Sequence, residues 1–218
     1  MTAAADLTLD ELRLHLAPAI AEAAVFDGWS EEAVDSAAWA KQVDPAVARL
    51  AFSGGPMDMI CAWIETIDES MREAFAPETM GVMKVRERIR ALVQFRLDAV
   101  DGREEALKRA LTVMAMPQNI SRSVKAGWSS ADAMWHLAGD TSTDYNHYTK
   151  RAILAGIYSA TLAVFADDTS EGKAETRAFL ERRIDGVMKF EKAKAQLLQP
   201  RERFSMTRFL GRLRYPAR

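Results

Sequence analysis

Apolar residues recur along this chain of 218 residues at intervals of three and four, which is the spacing of one face of an α-helix. No segment alternates apolar and polar residues over six positions between turn signals, so no strand is predicted. The pattern predicts helices over about residues 8–27, 30–43, 45–52, 57–76, 82–100, 103–116, 119–126, 142–166 and 174–198. The chain is therefore predicted to be an all-α protein.

Local start and stop signals support these boundaries. The segment Thr8-Leu9-Asp10-Glu11 has capping-box spacing at the start of the first helix. Asp44 precedes Pro45, an N-cap followed by proline at the first helical position. Pro77 and Pro200 each follow a periodic segment, and proline does not continue a helix.

The stretch from residue 131 to residue 166 contains the longest apolar run of low charge. It begins with a short aromatic piece that Gly139 and Asp140 interrupt, and a helix is predicted to start two or three residues later. Residues 152–166 carry no charged side chain, but they are fewer than the roughly 20 that a bilayer span needs. A helix that is apolar on nearly every face must be covered on nearly every face, so this element is predicted to be the central helix.

Composition limits which classes of protein and which cellular compartments are expected. Hydrophobic residues make up 49% of the chain, enough for a buried core, and the single cysteine, Cys61, excludes a disulfide framework and a cysteine-based zinc site. The acidic start of the chain lacks the features of a secretory signal and the arginine-rich pattern of a mitochondrial presequence. We therefore expect a cytoplasmic protein.

Charge is divided unevenly between the two ends. Residues 1–70 contain thirteen acidic and three basic side chains, whereas residues 201–218 contain six arginines and one glutamate. The first three helices have the layout of the helix-turn-helix unit of TetR repressors, with residues 45–52 as the recognition helix. Arg49 is the only cation in that helix, and a duplex would repel its acidic surroundings. The unit is predicted not to bind nucleic acid, and a sequence-specific DNA reader is the alternative.

The last segment of the chain is basic and amphipathic. As a helix it places large apolar residues on one side with arginines beside them, and a helix of this kind binds anionic lipid surfaces. The residues predicted to contact a membrane are Met206, Arg208, Phe209, Leu210, Arg212 and Leu213. The alternative is that the segment docks on its own domain with the arginines in solvent.

Catalytic and metal-binding patterns are sparse. His136, Asp140, Asp144 and His147 are spaced four, four and three residues apart, and a metal site is the alternative interpretation of that spacing. Gly139 is expected to interrupt the helix that would hold them, and no phosphate loop or nucleophile motif is present. No catalytic residue, metal or cofactor is predicted, and the protein is predicted not to be an enzyme.

One run of the sequence resembles a known family. Residues 139–152, GDTSTDYNHYTKRA, continuing into residues 154–158, LAGIY, are similar to the signature of the ubiquinone-biosynthesis accessory family, the ninth coenzyme Q factor. The similarity extends to residues 179–184 and back to the acidic helix-turn-helix unit, so it covers most of the chain. The resemblance implies a TetR-like fold without DNA binding, a homodimer, and an apolar pocket for an isoprenoid quinone lipid or phospholipid.

The resemblance also implies candidate sites. Inward-facing apolar residues are predicted to line a lipid pocket between the central, fourth and fifth helices: Trp63, Ile64, Ile67, Trp135, Leu154 and Ile157. The residues that correspond to the family's docking patch for the di-iron demethoxyubiquinone hydroxylase are Asp144, His147, Tyr148 and Arg151. His147 stands where the family usually has tryptophan. The homodimer is expected to form through the central helix and the helix over residues 174–198.

These expectations divide the chain into a helix-turn-helix-like unit (1–55), a helical lipid-binding and dimerisation domain (56–199) and an amphipathic membrane-binding helix (200–218). The predicted function is a lipid-binding accessory protein of ubiquinone biosynthesis that presents polyprenylated quinone precursors at the membrane to the hydroxylase. The predicted location is the cytoplasmic surface of a bacterial inner membrane, since a mitochondrial counterpart would need a presequence. The alternative function is a TetR-like transcriptional regulator that binds DNA and a small apolar effector.

Overall fold

A computed structural model of the chain describes residues 7–75, 80–143 and 145–198. Every regular element within these ranges is a helix, which confirms the all-α prediction. The α-helices are α1 (Leu9–Asp27), α2 (Glu31–Ala40), α3 (Pro45–Ala51), α4 (Pro56–Ala74), α5 (Val85–Asp98), α6 (Glu104–Met114), α7 (Ile120–Leu137), α8 (Tyr145–Asp167) and α9 (Ala174–Leu198). Short 3-10 turns, Pro117–Asn119 and Glu171–Lys173, precede α7 and α9.

Side-chain caps fix the starts of the first three helices. Thr8 Oγ1 accepts a hydrogen bond from the Glu11 backbone N–H, and the Glu11 carboxylate accepts one from the Thr8 N–H at 2.8 Å, so the predicted capping box is confirmed. Ser30 caps α2 by accepting a hydrogen bond from the Ala33 N–H, and Asp44 caps α3 by accepting one from the Ala46 N–H. Helix α1 packs against α2, α3 and α4, and its buried face, which includes Leu16, forms the core of this part of the fold.

Helix α3 presents little free positive charge. Arg49 donates from Nε to Asp35 Oδ1 of α2 at 2.8 Å, so its one cation is paired with a carboxylate. The neighbouring exposed side chains Val47 and Leu50 are apolar. Phosphate neutralisation supplies most of the affinity of duplex binding, and this helix offers one cation, already paired, for it. The expected lack of DNA binding stays a prediction.

Helix α7 is longer than predicted. The sequence pattern ends one helix near residue 126 and begins a separate piece at residue 131, but α7 continues without a break from Ile120 to Leu137. Gly127 lies inside it. The predicted break is wrong, because burial of the segment around Ala131 and Met134 outweighs a single interior glycine, which costs about 1 kcal/mol relative to alanine. The next predicted break is confirmed: Gly139, with φ of 84°, separates α7 from α8.

Helix α8 is central but covered on only part of its circumference within one chain. It packs against α6 and α7 and buries Leu154, Tyr158 and Phe165. A second stripe along the same helix is exposed and consists of small residues, namely Ala152, Gly156, Ser159 and Ala163. The prediction that this helix is covered on nearly every face is therefore wrong for a single chain.

The chain divides into two compact units, residues 1–181 and residues 182–218. Helices α1–α8 and the first turns of α9 belong to the first unit, which contains all the features described below. None of the helices in the described ranges is long and apolar enough to cross a membrane. The predicted boundaries at residues 55 and 199 stay predictions.

Candidate functional site

A small apolar cavity lies in the core where α4, α5, α6, α7 and α8 meet. Its volume is about 80 Å³. Large apolar side chains cover most of its wall, among them Ile60 and Ile67 of α4 and Leu111 and Met114 of α6. Small residues of α7, including Gly127, form another part of the wall. The cavity is thus a pre-formed apolar space inside the helical bundle.

Trp63 is the largest side chain in the wall and is itself held in place. Its ring centre lies 5.3 Å from that of Trp29, which follows α1. Trp29 Nε1 donates a hydrogen bond to the Ala106 carbonyl oxygen at 3.0 Å. This contact links α4 to α6, and it fixes the indole of Trp63 against the cavity.

The six predicted lipid-binding residues separate into two sets. Trp63, Ile64 and Ile67 line the cavity. Trp135, Leu154 and Ile157 lie outside its lining; Trp135 Nε1 instead donates to the Lys150 carbonyl oxygen at 3.0 Å. Helical spacing therefore identified the α4 residues that line the cavity. The α8 residues that line it lie at other positions than those predicted. A lipid role for all six residues stays a prediction.

One wall of the cavity carries a buried polar cluster, consisting of Asp68, Arg96, Ser130 and Tyr158. Arg96 of α5 is 1% exposed and forms an ion pair with Asp68 of α4, which is 4% exposed. Arg96 Nη2 donates to Ser130 Oγ of α7 at 2.9 Å. The guanidinium carbon lies 4.9 Å from the ring centre of Tyr158 on α8. The polar cluster therefore joins four helices beside the cavity.

The polar cluster is electrically balanced. Burial disfavours the charged form of Arg96, but interactions with Tyr158 and Asp68 outweigh burial and raise the pKa of Arg96 above its ordinary value. The guanidinium is therefore held as a cation, and the Asp68 carboxylate beside it balances its charge. The Arg96 Nε–H is buried and makes no hydrogen bond within the described part of the chain.

Sequence reasoning missed the polar cluster although a signal was present. The helical spacing of α5 places Phe95 or Arg96 on its inner face, and a charged residue on an inner face indicates a buried partner. The sequence does not show which residues pair with Arg96, because Asp68 and Ser130 lie 28 and 34 positions away from it along the chain.

The predicted partner-binding residues lie near the start of α8. Tyr148 is 62% exposed, and its ring centre lies 6.2 Å from that of Trp128 on α7 and 5.1 Å from that of His147. His147 Nδ1 lies 3.0 Å from the Ser142 carbonyl oxygen, which fixes the imidazole. We call Trp128, His147 and Tyr148 the aromatic patch. Exposed aromatic clusters are typical of protein-binding surfaces.

Arg151 is buried, unlike Tyr148. Its side chain is 1% exposed, pairs with Asp132 and donates from Nη1 to Asp140 Oδ2 at 3.1 Å. Burial opposes ionisation of Asp140, but hydrogen bonds from Lys150, Ser142 and Arg151 outweigh it and hold the pKa of Asp140 well below its usual range. Arg151 is thus placed to hold the segment that precedes α8 rather than to touch a partner directly.

Asp144 and the six predicted membrane contacts lie outside the described residues. In the part of the chain that the structure describes, no group of three or more His, Cys, Asp or Glu side chains is placed to hold a metal ion. Burial raises the pKa of the Cys61 thiol, so the thiol stays protonated near neutral pH.

The chain is similar in sequence to known proteins. Residues 120–191, which comprise α7, α8 and much of α9, match the family COQ9. The mitochondrial ubiquinone biosynthesis protein COQ9 of Rattus norvegicus is 35% identical over 168 residues, which cover 74% of this chain and 54% of the rat protein. The Homo sapiens protein of the same name is 32% identical over 186 residues, which cover 82% of this chain and 58% of the human protein. The chain thus spans about half the length of the curated relatives it matches.

A solved structure is similar in fold. The crystal structure of the TetR transcriptional regulator from Nitrosomonas europaea ATCC 19718 superposes with a TM-score of 0.63 at 21% sequence identity. The alignment covers 80% of this chain and 97% of the regulator. This similarity confirms the predicted TetR-like fold, and at this identity it concerns the fold alone.

The predicted bacterial, cytoplasmic location is wrong. The named relatives, from mammals to Schizosaccharomyces pombe, are mitochondrial proteins. The expectation was based on the first residues of a chain that spans about half of those relatives. Targeting segments are short and separate from the fold, so the compartment of a protein cannot be inferred from its folded part.

The family resemblance read from residues 139–184 is confirmed by these comparisons. Residues 120–191 match the COQ9 family model, and most of the chain is similar in sequence to the mitochondrial COQ9 proteins.

Proposed function

We propose that this protein is a lipid-binding accessory protein of ubiquinone biosynthesis. The relatives are named for that pathway, and the observation that carries the proposal is the apolar cavity bounded by Ile60, Trp63 and Ile67 in the core. An apolar pocket with a few polar groups is the usual form of a small-molecule site. The ligand class that the proposal assigns is a polyprenylated quinone precursor.

The cavity must enlarge to hold such a ligand. Ligand pockets commonly measure about 300–1,000 Å³, and the cavity measures about 80 Å³. The part of the wall formed by α6 and α7 contains Met114, a side chain with several rotatable bonds, and Gly127, which has no side chain. We therefore propose that ligand entry separates or repacks this part of the wall.

A leucine at Gly127 tests the cavity. No atom lies within 4 Å of the position that a β-carbon would occupy at Gly127, so an alanine is accommodated, while a leucine extends into space beside the cavity. We expect G127L to reduce co-purified isoprenoid lipid about tenfold, equivalent to about 1.4 kcal/mol, because a leucine at this lining position competes with the ligand for the cavity. The measurement is mass spectrometry of organic extracts from the purified full-length protein.

G127A is the matched control. It should keep the lipid and raise the free energy of unfolding by up to about 1 kcal/mol, since alanine is the better helix former. Equal lipid content in G127L and the unaltered protein would contradict a site at this cavity. No lipid in any extract would remove the support for lipid binding altogether.

The aromatic patch is proposed to bind the demethoxyubiquinone hydroxylase. Tyr148 offers an exposed ring backed by Trp128 and His147, and tyrosines in such settings are frequent binding hot spots. We expect Y148A to weaken binding to the purified hydroxylase about thirtyfold, equivalent to about 2 kcal/mol, as measured by surface plasmon resonance. Thermal stability should change little because the ring is exposed.

Trp39 gives the comparison for this test. It is 75% exposed and lies on α2. W39A removes an exposed aromatic ring without touching the aromatic patch, so hydroxylase binding should be unchanged. A loss of binding in W39A, with Y148A unaffected, would move the docking surface to the helix-turn-helix-like unit.

A homodimer through α8 is also proposed. The exposed stripe of small residues on α8 includes Gly156 and Ala163, which would allow the backbone of a second helix to approach closely. We expect G156L to shift the protein from a dimer to a monomer near 24.3 kDa in light scattering at micromolar concentration. G81L, a substitution at an exposed glycine outside α8 with open space around it, should leave the dimer intact. A monomeric unaltered protein would rule the dimer out.

The regulator alternative has a direct test. The pairing of Arg49 with Asp35 leaves α3 without a free cation, so we expect no salt-dependent binding of the purified protein to duplex DNA. Binding that falls steeply with salt would favour the regulator over the lipid-binding protein.

A further inference from the structure

The wall of the cavity contains a buried guanidinium nitrogen for which the described residues provide no acceptor. Arg96 is 1% exposed and lines the cavity; Nη1 pairs with Asp68 and Nη2 donates to Ser130. The third nitrogen, Nε, has no hydrogen-bond partner among the residues that the structure describes. Buried donors are satisfied in most proteins, and an exception beside a cavity indicates a ligand or solvent acceptor.

The charges around the Arg96 Nε–H determine whether an anionic or a neutral acceptor binds there more favourably. Asp68 is buried with Arg96 and neutralises it, so an anion entering the cavity would meet no net positive charge there. An anion would also lose its hydration in an apolar space, which is costly without a free cation. A neutral oxygen needs only the N–H donor. The site therefore favours a carbonyl oxygen over a phosphate or carboxylate.

The shape of the surroundings suits a planar ring that bears such an oxygen. The Tyr158 ring lies 4.9 Å from the Arg96 guanidinium carbon, and Trp63 lies in the same lining. Aromatic side chains pack well against flat rings, and the apolar remainder of the wall suits a hydrocarbon tail. A saturated chain alone would leave the Nε–H unsatisfied.

We propose that the Arg96 Nε–H donates a hydrogen bond to a neutral ring carbonyl of the bound lipid, which makes Arg96 a specificity-determining residue for an oxygen-bearing ring. This inference rests on the proposed lipid binding at the cavity. It adds the residue that recognises the ring oxygen, and it excludes a phosphate headgroup as the preferred ligand.

The experiment compares three probes on the full-length protein by isothermal titration calorimetry. Geranyl-1,4-benzoquinone carries the ring carbonyls, geranylbenzene lacks them, and geranyl phosphate supplies an anion on the same tail. We expect the unaltered protein to bind the quinone about tenfold to a hundredfold more tightly than geranylbenzene, the range for a hydrogen bond from a charged donor. Geranyl phosphate should bind more weakly than the quinone.

The variant R96K completes the test. Lysine keeps a cation beside Asp68 but has no Nε–H at the arginine position, so the preference for the quinone should fall to about threefold or less. If R96K does not fold, the double variant D68L/R96M replaces the ion pair with apolar side chains and should lose the preference in the same way. An undiminished preference in a folded variant would overturn the inference.

Failure of the inference and failure of the proposed function give different results. Equal binding of the quinone and geranylbenzene overturns the carbonyl contact and leaves lipid binding standing. Tightest binding of geranyl phosphate overturns the selection of a neutral head group. Absence of binding by all three probes overturns both the inference and the lipid site.

Discussion

Replacing Asp68 by alanine is expected to lower the free energy of unfolding by about 3–5 kcal/mol. The substitution leaves Arg96, 1% exposed, as a buried cation without its carboxylate. Desolvation of a charge is costly, and Ser130 and the Tyr158 ring compensate only part of it. Urea unfolding followed by circular dichroism measures the change.

Two further variants separate the buried charge from other effects. D35A removes the carboxylate that pairs with Arg49, whose side chain is 50% exposed, and should cost far less than D68A because water solvates the freed guanidinium. D68L/R96M removes both buried charges and should be much closer to the unaltered protein than D68A. A cost below about 1 kcal/mol for D68A would show that Arg96 does not depend on Asp68 for its burial.

A chain without residues 201–218 is expected to lose binding to cardiolipin-rich vesicles. As a helix, this segment would insert Met206, Phe209, Leu210 and Leu213 into the lipid surface, and each side chain contributes about 1.5–3 kcal/mol if fully buried. Its six arginines add about 1 kcal/mol each near an anionic surface. Vesicle flotation of the truncated and full-length chains measures the difference.

Salt distinguishes the two contributions to this binding. Screening weakens the arginine contribution as ionic strength rises, while the apolar contribution persists, so binding of the full chain should fall with salt without disappearing. The truncated chain should keep the helicity of α1–α8. If it floats as well as the full chain, the segment is not the membrane contact and lipid must enter through another surface.

The sequence determined most of the secondary structure because helix ends depend on near neighbours. The caps at Thr8, Ser30 and Asp44 act across two or three residues, so their spacing can be read directly. Gly139 likewise ended α7 by its own φ of 84°. The predicted helix end at residue 126 was wrong because the cost of about 1 kcal/mol for Gly127 inside α7 is outweighed by packing that the local sequence does not show.

The family resemblance was also a property of the sequence, since it depends on the order of residues in one run and not on their contacts. It identified Tyr148, which is exposed beside Trp128. It could not show that Arg151, three positions later, is buried against Asp132 and Asp140. Residues close together on one helix differ in burial because different elements pack against them, and those elements can be distant in sequence.

The tertiary structure alone decided where the cavity lies and what its wall contains. Spacing marked Trp63 and Ile67 as inward, and both line the cavity, because inward faces follow from the helical period. The pairing of Arg96 with Asp68 and Ser130, however, joins three helices across 28 and 34 positions of sequence. The period of a helix tells which side faces the core, but only the packing of the helices determines which side chains meet there and which donor is left free.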